Sequence, residues 1–280
     1  MQRNFPMHHH LFMSEVKMET DFSSPLSDTL VEYSKLLLGA RKNGHCLQQL
    51  QASRAPKNAK DAYAVQDRVA NALISSLGSI QGWKVGAPTP DSEPFCAPLH
   101  QKTIFSGNTK LPAGLCRFYG VEAEIVYVFG ASLPLRSTPW TEQDIRKSII
   151  SAHAAIEIFD TRFCKPGSQS GLTHLADQGN HGALIYGAPL TDWQRLVPVD
   201  EPVRLILDGK TVIDHVGGNS AGDPMRLLVW LANHAAKRGF PIQAGTVVTT
   251  GSMTGTEFVS ASTVAEVQIG PLAQVSVTLP

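Results

Sequence analysis

Two glutamates on one predicted strand are the residues of this sequence best suited to chemistry. The segment 121–129, which reads VEAEIVYVF, is rich in β-branched and aromatic residues and predicts a β-strand. Because side chains alternate along a strand, Glu122 and Glu124 share one face, with Cα atoms about 6.6 Å apart. Val126 and Val128 continue that face. Neither face is polar throughout, so we expect most of this strand to be buried.

Buried carboxylates need a partner. Removing a carboxylate from water is costly unless an opposite charge or hydrogen bonds compensate. The segment 121–129 contains no Lys or Arg. A hard divalent cation held by carboxylate oxygens would supply the missing positive charge. The alternative is a strand end that emerges into solvent with two exposed glutamates, and the strand pattern alone leaves both interpretations open.

A third glutamate extends the cluster. Glu157 lies among apolar residues in the segment 155–159, AIEIF, which also predicts a strand. Glu122, Glu124 and Glu157 form the one cluster in the sequence that suits a hard metal. With water and a chelating substrate, three carboxylates can complete the octahedral coordination of Mg²⁺ or Mn²⁺.

The composition is that of a neutral, well-buried chain. Its 280 residues suggest one large domain or one domain with a helical extension. Lys plus Arg equals Asp plus Glu at 24 each, which argues against nucleic acid or an anionic membrane as a partner. Charged residues make up 17% of the chain, which is below the usual quarter or so and fits a large buried core. No apolar run approaches the roughly 20 residues that cross a bilayer.

The cysteines and the N-terminal segment indicate where in the cell the protein is located. The four cysteines are Cys46, Cys96, Cys116 and Cys164. They have no close metal-type spacing and we recognise no signal peptide, so we expect reduced thiols in a cytoplasmic protein. We expect residues 1–23, which include three consecutive histidines, to form a disordered leader.

Apolar periodicity predicts helices in an N-terminal region, 24–81. One helix is expected to begin near Ser27 and to be closed by Gly39. A second is expected over residues 60–76, with Asp61 as its cap. This region carries no obvious chemistry, so we interpret it as packing helices.

The rest of the chain alternates strands, helices and loops. Residues 82–115 predict a long loop with short strands, and long ordered loops are often functional. A helix is expected to begin at Thr141 and to continue to about Ala154, ahead of the Glu157 strand. Residues 163–173 are polar and suit a mobile loop or lid. Residues 203–214 predict a hairpin.

From residue 82 to the C-terminus the sequence resembles the 2-keto-4-pentenoate hydratase branch of the fumarylacetoacetate hydrolase superfamily. The segment Val-Glu-Ala-Glu-Ile at 121–125 is followed about thirty residues later by Ala-Ile-Glu-Ile, as in that family. The other segments that match in kind and order are 83–86 (WKVG), 160–163 (DTRF), 176–177 (AD), the helix after Asp223-Pro224 with 229–232 (VWLA), and 245–251 (GTVVTTG). Each motif is weak alone, and the ordered set is specific.

The resemblance implies an α+β fold, with N-terminal helices beside a mixed, rolled β-sheet domain at 82–280. It implies a Mg²⁺- or Mn²⁺-dependent hydratase that converts 2-hydroxy-2,4-dienoates into 4-hydroxy-2-oxoacids in aromatic catabolism, and a homo-oligomer. In this interpretation Glu122, Glu124 and Glu157 hold the metal, which chelates the C1 carboxylate and C2 oxygen of the substrate.

The resemblance also implies roles for five further residues. Lys84 would help to hold the anionic substrate and stabilise the enolate at C2, the alternative being a surface lysine at a strand end. Asp177 is a candidate proton carrier or orienting group, or else a turn residue. Arg162, which could instead pair with a neighbouring acid, is a candidate substrate-binding residue. Asn180 and His181 are further candidates for the substrate pocket.

One departure from the family concerns the addition of water. After the lysine strand, hydratases of the family commonly carry an acid, an aromatic residue and a glycine. Here Pro94 replaces the acid and Cys96 replaces the glycine, and Glu93 could compensate from one residue away. A decarboxylase, a C–C bond hydrolase or a non-catalytic partner subunit therefore stays open. The hydrolase branch usually adds a His-Glu pair, whereas His100 here has no adjacent acid.

Overall fold

A computed structural model describes residues 26–49 and 52–280. The leader expected at 1–23 lies outside these residues. The described α-helices are α1 (Asp28–Asn43), α2 (Ala59–Leu77), α3 (Glu142–Ser148), α4 (Gly171–Ala176) and α5 (Met225–Lys237). The described strands are β1 (Ile80–Gly86), β2 (Phe95–His100), β3 (Ile104–Ser106), β4 (Thr109–Lys110), β5 (Gly120–Phe129), β6 (Ile149–Phe159), β7 (His181–Tyr186), β8 (Pro202–Leu207), β9 (Lys210–Val216), β10 (Val247–Thr249), β11 (Glu257–Phe258), β12 (Val264–Ile269) and β13 (Leu272–Thr278).

The strands form two mixed sheets. The larger has the order β2-β1-β10-β5-β6-β7-β3, and β11 pairs with β5 beside β10. The smaller has the order β4-β13-β12-β8-β9. Strand β1 runs parallel to β10, β3 to β7 and β4 to β13, and the other pairs are antiparallel. Strands β12 and β13 pack against β6, so the second sheet lies on the first. The prediction of helices beside a mixed sheet is confirmed.

The central strand β5 separates two apolar layers. Its odd-numbered side chains, from Val121 to Phe129, belong to the main core. Val126 lies on the opposite face, which carries the glutamates, in a smaller cluster. The other buried members of that cluster are Leu99, Ala155, Leu184 and Val247. Both faces of β5 are therefore buried, as the sequence predicted, and the glutamates lie beside a separate apolar layer.

The N-terminal helices pack against the larger sheet. The side chain of Gln66 in α2 donates through Nε2 to the carbonyl oxygens of Cys96 (3.1 Å) and Leu175 (2.7 Å), which ties the helix to β2 and α4. The expected end of α1 at Gly39 is wrong, since the helix continues to Gly44. A glycine inside a helix costs only about 1 kcal/mol relative to alanine, and packing of the buried helix face outweighs it. The cap of α2 is not the expected Asp61 but Asn58, whose side chain accepts from the Asp61 N–H at 2.8 Å.

Strand β6 is longer than the sequence predicted. Thr141 and Asp144 form a capping box at the start of α3, but the helix ends at Ser148 and not at Ala154. Ile149 already has extended backbone angles and begins an eleven-residue strand. The β-branched residues Ile149 and Ile150 fit a strand better than a helix, and pairing with β5 along the whole of β6 decides the outcome. The predicted hairpin at 203–214 is confirmed as β8 and β9.

A disulfide ties the expected lid to the N-terminal region. Cys46 and Cys164 are bonded, with Cα atoms 4.8 Å apart. Leu47 donates from its N–H to the Arg162 carbonyl, and the Cys164 N–H donates to the Leu47 carbonyl, both at 2.8 Å. The expectation of reduced thiols is thus wrong for these two cysteines. They are 118 residues apart in the sequence, so their spacing could not indicate the bond. Of the segment predicted as a mobile loop, the first part is anchored and residues from Gly171 onwards form α4.

None of the helices in the described part of the chain is long and apolar enough to cross a bilayer. The proposed domain boundaries at residues 24–81 and 82–280 stay predictions.

We expect Gly182→Ala to lower the free energy of unfolding. A Cβ at Gly182 would lie 2.7 Å from the Ile158 carbonyl oxygen, 2.8 Å from Cys116 Sγ and 2.9 Å from Asp160 Cβ. Overpacking of this kind costs about 1–3 kcal/mol, which urea unfolding would measure. The matched control is Gly39→Ala, where a Cβ meets nothing within 4 Å and the helical site gains about 0.5–1 kcal/mol. Equal effects at the two positions would contradict this account of the packing.

Candidate metal centre

The register of β5 and β6 brings the three glutamates together. Glu122 lies directly opposite Glu157 in the antiparallel pair, and Glu124 lies opposite Ala155, one step along the same face. One carboxylate oxygen of each glutamate lies within 4.8 Å of one oxygen of each of the others. The residues are 9%, 1% and 0% exposed in the order Glu122, Glu124, Glu157. The alternative of glutamates that emerge into solvent is therefore wrong.

The end of β10 and the loop after it anchor two of these carboxylates. Thr249 Oγ1 and the Gly251 N–H both donate to Glu124 Oε2, the latter at 3.0 Å. Thr256 Oγ1 donates to Glu122 Oε1. Each of these glutamates thus has one oxygen held by the protein. The sequence analysis missed the two threonines, because short polar residues in a loop carry no signal of what they contact.

Lys84 reaches the cluster from β1. Its Nζ lies 2.7 Å from Glu157 Oε1, and its side chain is 12% exposed. A left-handed turn covers its stem, since a Cβ at Gly179 would lie 3.3 Å from Lys84 Cδ. The neighbours Gln178 and Asn180 also have positive φ, at 53° and 61°, a conformation that is rare outside glycine. Lys84 is therefore not the surface lysine of the alternative interpretation.

The pKa values of the three glutamates reflect their burial and their mutual repulsion. Burial raises the pKa of Glu122 to about 7, although Lys84 opposes the shift. Burial and the charges of Glu157 and Glu122 raise the pKa of Glu124 well above its ordinary value. Burial alone would also raise the pKa of Glu157, but Lys84 and His181 lower it to about 2. One ammonium group therefore keeps one carboxylate ionised, whereas the pKa values of the other two carboxyl groups are raised.

The donor set fits a hard divalent cation. Glu157 Oε2 is buried and has no hydrogen-bond partner among the described residues. A buried carboxylate oxygen without a partner is costly, and a cation would satisfy it. Three carboxylates match the preference of Mg²⁺, Mn²⁺ and Ca²⁺ for oxygen ligands.

His181 contacts the cluster rather than open space. Its Nδ1 lies 3.0 Å from Glu157 Oε1, and its Nε2 lies 3.0 Å from Thr103 Oγ1. The residue is 1% exposed. Burial lowers the pKa of His181 to about 4, although Glu157 opposes the shift, so the ring is neutral at pH 7. His181 thus contacts a candidate metal ligand, and its expected place in the substrate pocket stays a prediction.

The remaining predicted site residues form a buried network of their own. Arg162 Nε donates to Asp177 Oδ1 at 2.7 Å, and its Nη1 lies 3.3 Å from Asp160 Oδ2. Asp177 Oδ2 accepts from the backbone N–H of Arg162 and from Thr161 Oγ1. Arg162 and Asp177 are 4% and 3% exposed. The predicted pairing of Arg162 with Asp160 is confirmed. The expected roles of Arg162 in substrate binding and of Asp177 in proton transfer stay predictions.

Asn180 is also engaged within the protein. Its Oδ1 lies 2.8 Å from Nδ1 of His174 in α4. This contact holds the left-handed turn against α4. The expected contact of Asn180 with substrate stays a prediction.

After the lysine strand, Pro94 stands where the family commonly carries an acid, and the neighbouring Glu93 faces another way. Glu93 is exposed, and its Oε1 accepts from Trp230 Nε1 at 2.6 Å. Cys96 is buried against Arg238, whose Nη1 lies 3.3 Å from the thiol sulfur. Burial raises the pKa of the Cys96 thiol to about 11. Glu93 is thus turned towards α5 and does not compensate for Pro94.

Comparisons with known proteins agree with this geometry. No protein-family model matches the chain. A 2-keto-4-pentenoate hydratase from Paraburkholderia xenovorans is 24% identical over 229 residues, which is 79% of this chain and 84% of that protein. The structure of 4-oxalocrotonate decarboxylase from Pseudomonas putida G7, complexed with magnesium and adipate, superposes with a TM-score of 0.79 at 21% identity. That match covers 91% of this chain and 98% of the decarboxylase.

A second solved structure matches a smaller part of the chain. The 2-hydroxyhepta-2,4-diene-1,7-dioate isomerase from Mycobacterium marinum matches with a TM-score of 0.55 and 15% identity, over 71% of this chain and 75% of the isomerase. The chain thus has the fold of these solved structures, as the resemblance to the fumarylacetoacetate hydrolase superfamily implied, and curated proteins named 2-keto-4-pentenoate hydratase are similar to it.

Proposed function

We propose that the protein is a divalent-metal-dependent hydratase of 2-hydroxy-2,4-dienoates of the 2-keto-4-pentenoate type, which yields 4-hydroxy-2-oxoacids in aromatic catabolism. The observation that carries the proposal is the meeting of Glu122, Glu124 and Glu157 beside Lys84. The names of the curated relatives support the substrate class. We expect the enzyme to act in the cytoplasm as a homo-oligomer, with Mg²⁺ or Mn²⁺ as cofactor.

The chain's own groups would bind and polarise an anionic substrate. The three glutamates would hold the cation, which supplies Lewis-acid polarisation of a 2-oxoacid carbonyl. Burial alone would lower the pKa of Lys84, but Glu157, Glu122 and Glu124 raise it, so the side chain is an ammonium. A preorganised ammonium in a dry site stabilises the negative charge that develops at the C2 oxygen when an enolate forms. Lys84 is thus suited to electrostatic stabilisation rather than to the role of general base.

A second candidate function is decarboxylation of a related 2-oxoacid. It is favoured by the match to 4-oxalocrotonate decarboxylase over nearly the full length of both chains. It is also favoured by the side chain of Glu93, which faces Trp230 and leaves the expected acid position unfilled. Loss of CO₂ from a 2-oxoacid with a suitably placed second carboxylate requires enolate stabilisation, but it requires no base that activates water. C–C bond hydrolysis has no comparable support.

We expect turnover of 2-hydroxypenta-2,4-dienoate to depend on metal and on Glu124. Treatment with EDTA should abolish the reaction, and added Mg²⁺ or Mn²⁺ should restore it. Glu124→Gln should lose both metal binding and turnover, because the amide removes a charged ligand. Absorbance of the dienoate would follow the reaction, and NMR would identify the product.

The matched control is Glu142→Gln on the exposed face of α3, which should behave as the wild type. Equal rates with and without EDTA would overturn the metal-dependent mechanism. Release of CO₂ from 4-oxalocrotonate, without hydration of the dienoate, would replace the hydratase by the decarboxylase. Metal binding without turnover of either compound would identify a non-catalytic partner subunit.

We expect metal to stabilise the protein more as the pH rises. In the metal-free protein Glu122 keeps its proton up to a pKa of about 7, whereas the unfolded chain releases it near 4.5. The folded state therefore binds more protons between these values, and its stability falls as the pH increases through that window. A cation competes with these protons, so the increase in Tm caused by Mn²⁺ should be larger at pH 8 than at pH 5.5. A shift in Tm that is independent of pH would contradict the protonated state assigned to the free site.

We expect Asp177→Asn to destabilise the protein. Without the carboxylate, the buried guanidinium of Arg162 loses its main partner, which costs about 3–5 kcal/mol in comparable buried pairs. The control is Asp214→Asn, which breaks an exposed pair with Arg204 and should cost at most about 1 kcal/mol. Chemical unfolding measures both. Lost turnover at unchanged stability would instead favour the proton-transfer role that the sequence suggested for Asp177.

A further inference from the structure

The two oxygens of Glu157 have opposite environments. Oε1 accepts from Lys84 Nζ at 2.7 Å and from His181 Nδ1 at 3.0 Å. Oε2 is buried and has no hydrogen-bond partner among the described residues. The two donors therefore fix the rotation of the carboxylate, so that the unsatisfied oxygen is the one left for a cation.

The two donors differ in how rigidly they are held. Lys84 carries a compact charge with three rotatable donors on a flexible stem, and it is also the group proposed to meet the anionic substrate. His181 has a planar ring that is held at both nitrogens. Its carbonyl oxygen accepts from Arg41 Nη2 at 2.8 Å and from Arg162 Nη1 at 3.3 Å, which fixes the backbone as well. His181 can therefore hold Glu157 independently of the more flexible Lys84.

The hydrogen bonds around His181 define one tautomer. A carboxylate oxygen only accepts, so Nδ1 must be the nitrogen that carries the proton towards Glu157. A neutral imidazole has a single N–H, so Nε2 must accept. Thr103 Oγ1, 3.0 Å away, can donate to Nε2 by rotating its hydroxyl away from the His100 carbonyl, which lies 2.8 Å from it. The carboxylate of Glu157 thus sets the tautomer, and the Thr103 hydroxyl, which donates to the His100 carbonyl in the structure, completes it by that rotation.

We propose that His181 is a positioning residue, which with Thr103 orients Glu157 for the divalent cation rather than contacting the substrate. The proposal rests on the proposed function in one respect, namely that Glu157 is a metal ligand. Partners of metal ligands that fix their orientation typically change metal affinity by 10–100-fold when they are replaced. His181→Leu should therefore bind Mn²⁺ about 10–100-fold more weakly than the wild type.

Two conservative variants separate positioning from packing. An asparagine at residue 181 places an amide donor close to the position of Nδ1, whereas a glutamine places one close to the position of Nε2. His181→Asn should recover most of the Mn²⁺ affinity, and His181→Gln should not. These variants differ by one methylene group, so their comparison holds even where His181→Leu unfolds. The matched control is His153→Leu, which removes another buried histidine of the same sheet, bonded to Ser151 and the Gly187 carbonyl.

The experiment is a titration of Mn²⁺ followed by electron paramagnetic resonance of the free ion, with melting curves in EDTA for each variant. We expect His153→Leu to bind Mn²⁺ like the wild type even where its Tm falls. Nitrogen-15 NMR of the imidazoles should show the Nδ1–H tautomer for His181. Wild-type affinity in folded His181→Leu, equal affinity in the Asn and Gln variants, or an Nε2–H tautomer would each overturn the positioning role. Absence of Mn²⁺ binding by the wild type would overturn the proposed function itself.

Discussion

The structure depends on the burial of three carboxylates in a space that contains one ammonium group. Coulomb repulsion and lost hydration both act against this arrangement, and Lys84 offsets them for Glu157 alone. The pKa values of Glu122 and Glu124 are raised in response. Without a cation, repulsion and lost hydration at this cluster raise the free energy of the folded state. This cost is the physical reason to expect a divalent ion, and it is independent of any relative's name.

The surrounding fold holds each carboxylate in a defined direction. The antiparallel register of β5 and β6 sets Glu122 against Glu157, and any shift by one residue would send a glutamate into the main core. Thr249 at the end of β10 and Thr256 in the loop after it then supply neutral donors to Glu124 and Glu122. Neutral donors orient a carboxylate without cancelling its charge. The site can therefore be rigid and still attract a cation.

The sequence predicted the parts of this site that depend on local pattern. Alternation in β5 placed Glu122 and Glu124 on one face, and the apolar neighbours of Glu157 indicated a second strand. The register between the strands could not be predicted from a local pattern, because it is set by pairing between distant segments. For the same reason the sequence could not show that Asp177 and Arg162 neutralise each other, or that Cys46 meets Cys164. The predicted end of α3 was wrong because the isoleucines after it fit both the helical and the strand period. Pairing of β6 with β5 decides for the strand.

The choice between hydration and decarboxylation turns on which group handles a proton. Among the described residues, the ionisable side chains that hydrogen-bond to the three glutamates are Lys84 and His181. Lys84 is held as an ammonium by the carboxylates around it, and His181 already donates its one proton to Glu157. Neither is free to activate a water molecule in this arrangement. Both reactions form an enolate that Lys84 can stabilise, but hydration also needs a base, and Glu93 is turned away towards Trp230. A hydratase on this scaffold must therefore use a base other than Lys84 and His181, whereas a decarboxylase needs no such group.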